Sequence, residues 1–188
     1  QSSDTLIELL DQVSTNLTYF FREEAHFNFL KNEYFPEMVS KKRAQNDRRI
    51  RFWSAACSSG EEVYSLAMVT KEFFGDDPNW DIKILGTDIS TRVLKNATNG
   101  VYSQKQVIKT PPAYIQRYLT SSGPTDDRQY RVNPELKRMV SFKRLNLLME
   151  KFPFSGLFDL IFCRNVMIYF DQQTKENLLR NFHRYMQN

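Results

Sequence analysis

IRFWSAACSSGEEVYSLAMVTKEFF, residues 50–74, is followed within a short loop by IKILGTD, residues 82–88. The first apolar run, residues 50–56, has apolar residues on both faces, which suits a buried strand. CSSG then turns the chain. From Glu61 onward the apolar residues return at helical spacing, with acids in the first turn, where the helix dipole favours them. Residues 82–88 read as a second buried strand. Strand, helix and strand in this order predict an α/β fold with a parallel sheet.

The pattern extends in both directions. ISTRVLKNATNG predicts a helix that stops at Gly100. LFDLIFC returns to a buried strand over Leu160–Cys163, and DQQTKENLLRNFHRYM predicts a helix capped by Asp171. Upstream, DTLIELLDQV has Leu6, Leu9, Leu10 and Val13 on one helical face. Residues 22–40 predict a second helix, bent or ended near Pro36. Between the strands lies a stretch of another kind. PPAYIQRYL opens a short helix, Gly123–Pro124 signals a turn, and residues 129–132 and VSFKRLNL alternate. These pieces predict a small antiparallel excursion from the main sheet.

Bulk composition narrows the function. The chain has 188 residues, enough for one domain with a sizeable core. Its net charge of +4 permits an acidic partner without requiring nucleic acid. The densest basic run, KKRAQNDRRIR, reads as a solvated linker. Cys57 and Cys163 sit in or beside apolar runs and fit free thiols in a reducing, cytoplasmic compartment. No apolar run is long enough to span a bilayer, so no membrane insertion is expected. His26 and His183 stand apart, and no cluster has metal-ligand spacing, so no metal is expected.

In an open parallel sheet, ligands bind beyond the carboxyl ends of the strands. Three such ends carry polar residues: CSSGEE, GTDIS and CRNVMIY. Small residues and Gly60 let backbone approach a ligand closely, although a plain tight turn has the same composition. Asp88 lies near the spacing at which an acid takes ribose hydroxyls, although it also suits a helix cap. Together they point to a nucleoside ligand. A phosphate-cradling GxxxxGK[ST] is missing. Near the start, Asn16, Thr18 and Arg22 surround two aromatics. They form either a helix start capped by Thr18, or a lid over the sheet edge.

TNLTYFFRE, WSAACSSGEEVYSLA, GTDISTRVLKNATNGVY, NLL and FCRNVMIYFD occur in this order and resemble the chemotaxis receptor methyltransferases, the CheR family. The likeness runs from about Ser14 to the end of the sequence. It implies a Rossmann-like class I methyltransferase sheet with a small antiparallel β insert at about residues 118–145. Residues 1–21 would be a residual N-terminal helix and linker, and residues 22–188 the S-adenosylmethionine-binding domain. The rest of the family's N-terminal helical domain and its last sheet strands would lie outside this sequence.

The resemblance also implies an activity. S-adenosylmethionine would give its methyl group to glutamate side chains on the cytoplasmic helices of chemoreceptors, leaving glutamyl methyl esters and S-adenosylhomocysteine. Asn16, Thr18 and Arg22 would line the cofactor site, with Glu62, or Glu61 as an alternative, in the GEE turn. Asp88 would take the ribose hydroxyls, Asn146 and Leu147 would border the adenine, and Arg164 and Asn165 would close the site. Arg22 and Tyr169 resemble the pair beside the transferring methyl group.

A glutamate is already ionised at neutral pH, with a reference pKa of about 4.3, so no general base is needed. Arg22 would orient it through charge-assisted hydrogen bonds. The protein would act as a monomer. In the family the insert can dock a receptor C-terminal peptide; here SSGP has one glycine, and an insert that only packs is the alternative. Two other functions remain to be weighed. One is a binding module of the same fold without turnover. The other is a nucleic-acid methyltransferase, against which NVMIY lacks the prolines of an NPPY turn.

Overall fold

The computed structural model describes residues 18–187. Asn16 and the helix expected over residues 6–13 lie outside the described residues. The main sheet has four strands: β1 (Arg49–Ala55), β2 (Asp81–Asp88), β6 (Val140–Arg144) and β7 (Leu160–Cys163). Their order is β6-β2-β1-β7, and every pairing is parallel. The chain builds outward from β1 to β6, then crosses back to set β7 on the other side of β1. That reversal opens a crevice between the carboxyl ends of β1 and β7, where such sheets bind ligands.

Alternation along β1 assigns the two faces. Ile50 and Phe52 join a core with Phe20, Phe35, Val63 and Tyr64. Trp53 and Ala55 join the opposite layer with Phe152, Phe158, Leu178 and Phe182. The helices α3 (Glu61–Phe74) and α8 (Gln172–His183) belong to these two layers. From Phe52 onward β1 is buried on both faces and carries one polar side chain, Ser54, itself buried; Arg49 and Arg51 stand at its more exposed amino end. The indole of Trp53 is satisfied by Thr87 Oγ1 at 2.8 Å.

Before β1 the chain forms α1 (Glu24–Phe29), a π-helical segment (Leu30–Tyr34) and α2 (Phe35–Ala44). Helix therefore continues through Pro36, where the sequence predicts a bend or an end. Proline lacks a backbone donor and crowds the preceding turn. The π segment widens that turn, with the Phe35 amide donating to the Leu30 carbonyl, and accommodates it. Thr18 does not cap a helix: the N-cap is Glu23, in the left-handed region at φ 57°.

After β2 come α4 (Thr91–Asn99), β3 (Val101–Ser103), α5 (Gln104–Val107), α6 (Pro112–Tyr118), β4 (Leu119–Ser122), β5 (Gln129–Val132) and α7 (Pro134–Met139). The insert is a three-stranded antiparallel sheet ordered β3-β5-β4. It therefore begins near residue 101 and ends near 132, not at 118–145. VSFKR belongs to the main sheet as β6. Its alternation reflects an outer strand exposed on one side, which a sequence cannot tell from a strand of a small insert. Past β7 the chain turns through one 3-10 turn, Met167–Tyr169, into α8. At the other end of β7, Phe158 forms a parallel bridge with Met186.

Candidate functional site

The turn after β1 is the floor of the crevice. Ala56 and Ser58 sit at φ 59° and 49°, and Gly60 at φ 91°. A β-carbon on Gly60 would come within 2.7 Å of Ala97 Cβ, so only glycine fits there. The Cys57 amide donates to the Thr87 carbonyl at 2.9 Å. Asp88, at the end of β2, accepts the Ser58 amide at 2.8 Å on one oxygen and the Ser90 amide at 3.0 Å on the other. Asp88 therefore braces both strand-end turns, while Ser90 caps α4.

The two acids of the GEE turn part company. Glu61 is fully buried and faces inward: its oxygens accept from Gln106 Nε2 at 2.8 Å and Ser59 Oγ at 2.7 Å. Glu62 points toward the crevice. Its Oε1 accepts from Ser54 Oγ at 2.7 Å, and its Oε2 lies 3.4 Å from Arg164 Nη1. Burial pushes both carboxyls above the ordinary range; for Glu62 the Arg164 guanidinium and Ser54 pull the other way. Of the two acids, Glu62 is the one turned toward the crevice.

Arg164, just past β7, gathers the third side. Its Nη2 donates to the Arg22 carbonyl and lies 3.2 Å from Glu23 Oε2. Its guanidinium also lies 5.6 Å from the ring centres of Phe27 and Phe162. Asn165, at φ 57°, donates from Nδ2 to Glu23 Oε1 at 3.1 Å. That bond and the nearby Arg164 hold the Glu23 carboxyl below its usual range. Burial pushes the Cys163 thiol up to about 12, so it is no nucleophile at neutral pH.

Arg22, Glu62, Arg164 and Asn165 are thus brought together, with Asp88 one strand away. Leu147 is buried beside Trp53 in the second core layer, and Asn146 is exposed just beyond the carboxyl end of β6, where its Oδ1 accepts the Leu148 amide at 3.0 Å. Thr18 is half-buried in irregular chain. Tyr169 stands on the 3-10 turn, 64% exposed. Two contributors escape the sequence reading. Glu23 reads as an ordinary first-turn acid, and only its left-handed backbone aims it at Arg164 and Asn165. Ser54 reads as part of a core strand, although a lone hydroxyl in an apolar run signals a buried partner.

The residues present fit an S-adenosylmethionine-type ligand. Ser58 Oγ and Arg164 Nε and Nη1 are buried without a hydrogen-bond partner among the described residues. Buried polar groups of this kind call for an external acceptor or donor. Arg164 suits a carboxylate, Glu62 an ammonium, and Asp88 a diol.

The family model described as CheR methyltransferase, SAM binding domain, matches residues 16–188. Curated proteins give the same picture. A chemotaxis protein methyltransferase of Borreliella burgdorferi is 50% identical over 182 residues, covering 96% of this chain and 63% of that protein. One from Escherichia coli is 40% identical over 174 residues, covering 92% of this chain and 57% of that protein. The chain spans about three fifths of the length of these relatives. The solved glycopeptide N-methyltransferase MtfA complexed with sinefungin aligns at TM-score 0.41 and 10% identity, covering 81% of this chain and 45% of that one.

Proposed function

We propose, from the premise that this chain belongs to the CheR methyltransferase family, that it carries the methyl-transfer site for glutamate side chains on the cytoplasmic helices of chemoreceptors. The observation that carries this reading is the pairing of Glu62 with Arg164 at the sheet's switch point, with Asp88 at the neighbouring strand end and buried polar atoms without hydrogen-bond partners beside them. S-adenosylmethionine, when bound, supplies a methyl group on a cationic sulfonium. Glu62 would hold the ammonium of its amino-acid end, Arg164 the carboxylate, and Asp88 the ribose hydroxyls. Asn146 and Leu147 would border the base, and Asn16 and Thr18 would line the site from the N-terminal side.

The incoming glutamate needs no base, being ionised at neutral pH. Positioning is then the protein's main task. Arg22 is anchored through its own carbonyl by Arg164 and would orient the carboxylate, with Tyr169 adding a hydrogen bond from the opposite rim. The protein would act as a monomer in the cytoplasm. Among the described residues, no helix is long and apolar enough to cross a membrane. The β4 edge of the insert leaves backbone groups on which a receptor C-terminal peptide would add as a further strand.

Calorimetry with S-adenosylhomocysteine tests the site. Tritium transfer from labelled S-adenosylmethionine to receptor membranes, with the full-length protein, tests the reaction. Binding together with alkali-labile label on receptor is expected. Binding without transfer would leave a binding module, and no binding to folded protein would remove the reading altogether.

A further inference from the structure

The insert is not merely attached to the sheet; it is bonded to the turn that floors the crevice. Glu61 is the centre of that attachment, with no exposed surface. One carboxylate oxygen accepts from Gln106 on α5 and the other from Ser59 of the turn, at 2.8 and 2.7 Å. Gln106 is in turn fixed by its capping box, its Oε1 accepting the amide and hydroxyl of Ser103, each at 3.0 Å. Beside it the Tyr102 hydroxyl, from β3, donates to the Ser59 carbonyl at 2.8 Å. The backbone of Glu61 extends the chain of contacts. Its carbonyl accepts Ser65 Oγ at 2.7 Å, and Ser65 Oγ accepts the Phe21 amide at 2.9 Å, next to Arg22.

A buried acid with two specific partners is an expensive way to fill space, since burial of a carboxyl is favourable only when it is hydrogen-bonded. An apolar residue at 61 would pack as well and would leave residues 57–60 free of the insert. Burial also favours the protonated acid.

We propose that Glu61 is a positioning residue: through Gln106 and Ser59 it couples the antiparallel insert to the ligand-facing turn at residues 57–60. This rests on the reading of that turn as the S-adenosylmethionine site. The order of the insert then sets the affinity of the turn, and by linkage a ligand on the turn orders the insert.

Calorimetry with S-adenosylhomocysteine tests this on the native chain and on Gln106→Ala, E61A and E61Q. Gln106→Ala and E61A should bind about tenfold more weakly, the scale of one hydrogen bond lost at a buried group. E61Q keeps one acceptor oxygen for Gln106 and sets an amide donor against the Ser59 hydroxyl, which can turn to accept, and should stay within about threefold of native. Should the variants fail to fold, hydrogen exchange on the native chain gives the answer. The ligand should slow the amides of residues 101–107 together with those of residues 57–60. Native affinity in Gln106→Ala, equal loss in E61A and E61Q, or slowing confined to residues 57–60 would overturn the coupling while leaving the site intact. No binding by the native chain would overturn both.

Discussion

The two ends of the main sheet treat buried charge in opposite ways. At the amino end, Lys42 is 4% exposed, and its ammonium reaches Asp159 at 2.8 Å, Asp47 at 2.9 Å and Gln187 at 3.2 Å. Three donors meet three acceptors. The other Asp159 oxygen takes the Arg51 amide at 2.7 Å, and the Tyr34 hydroxyl donates to the Asp159 carbonyl. At the carboxyl end, Arg164 and Ser58 keep buried atoms without hydrogen-bond partners among the described residues. Among the described residues, five of the six non-glycine positions with positive φ lie at that end, Phe21, Glu23, Ala56, Ser58 and Asn165; Asn46 alone lies at the other. Such backbone persists only where surrounding structure holds it, and it gathers at ligand sites. One end is finished by the chain itself; the other is finished by what it binds.

The largest effect that separates the ends is on stability. Lys42→Ala strands the buried Asp159 carboxylate and takes one partner from the half-buried Asp47, and should cost about 3 kcal/mol in urea denaturation, with affinity for S-adenosylhomocysteine unchanged in the folded fraction. A loss below about 1 kcal/mol would mean that the amino-end network is not a closed unit. Next comes Asp88→Ala, which removes the brace on Ser58 and Ser90. It should weaken S-adenosylhomocysteine by roughly a hundredfold in calorimetry, with a smaller loss of stability than Lys42→Ala.

Smaller, and opposite in sign at the two ends, is the response to pH. At the amino end the Arg49 amide and Lys42 hold the Asp47 carboxyl well below its unfolded value of 3.8. Its contribution is present above that value and fades as pH falls below it. At the carboxyl end, burial raises Glu61 and Glu62 above 4.5. The folded state there binds the extra proton, so stability falls as pH rises from 4.5 through the raised values. Asp47→Asn should flatten the acid limb, and Glu61→Gln the opposite one, in denaturation curves between about pH 3 and pH 8. The same slope in both variants would erase the distinction.

The smallest change to the fold is expected from Tyr169→Phe. The ring is exposed, so stability should move by less than about 0.5 kcal/mol and S-adenosylhomocysteine affinity should hold. If Tyr169 serves the proposed reaction, methyl transfer to receptor by the full-length protein should nonetheless drop, measured as tritium release. Undiminished transfer would take Tyr169 out of the reaction.

Much of this division was readable in the residues. Residues 50–56 and 82–88 declare buried parallel strands because apolar residues fall on both faces, and the polar residues at their ends mark the crevice. Motif likeness picked Glu62, Arg164 and Asn165, which the structure gathers. Choosing Glu62 over Glu61 was beyond periodicity, because both stand in the first turn of α3 and only packing shows which one faces the crevice. Glu23 was hidden by a backbone conformation that its residue type does not announce. β6 was misassigned because alternation reports one exposed face, not which sheet the strand joins. Lys42, within a basic run that reads as a solvated linker, turned out to be the buried cation of the amino end.

The widened turn at Leu30–Tyr34 amounts to one surplus residue in an otherwise regular helix. Each helical residue rotates the chain by about 100°. Deleting a single residue there would therefore swing α1 around its axis while α2 stayed anchored by Lys42. Glu23 and Arg22 would turn away from Arg164 without any change in their own identity. The angular setting of the N-terminal segment over the crevice hangs on a count of residues rather than on any one side chain, so an alignment gap at this place would matter more than most substitutions.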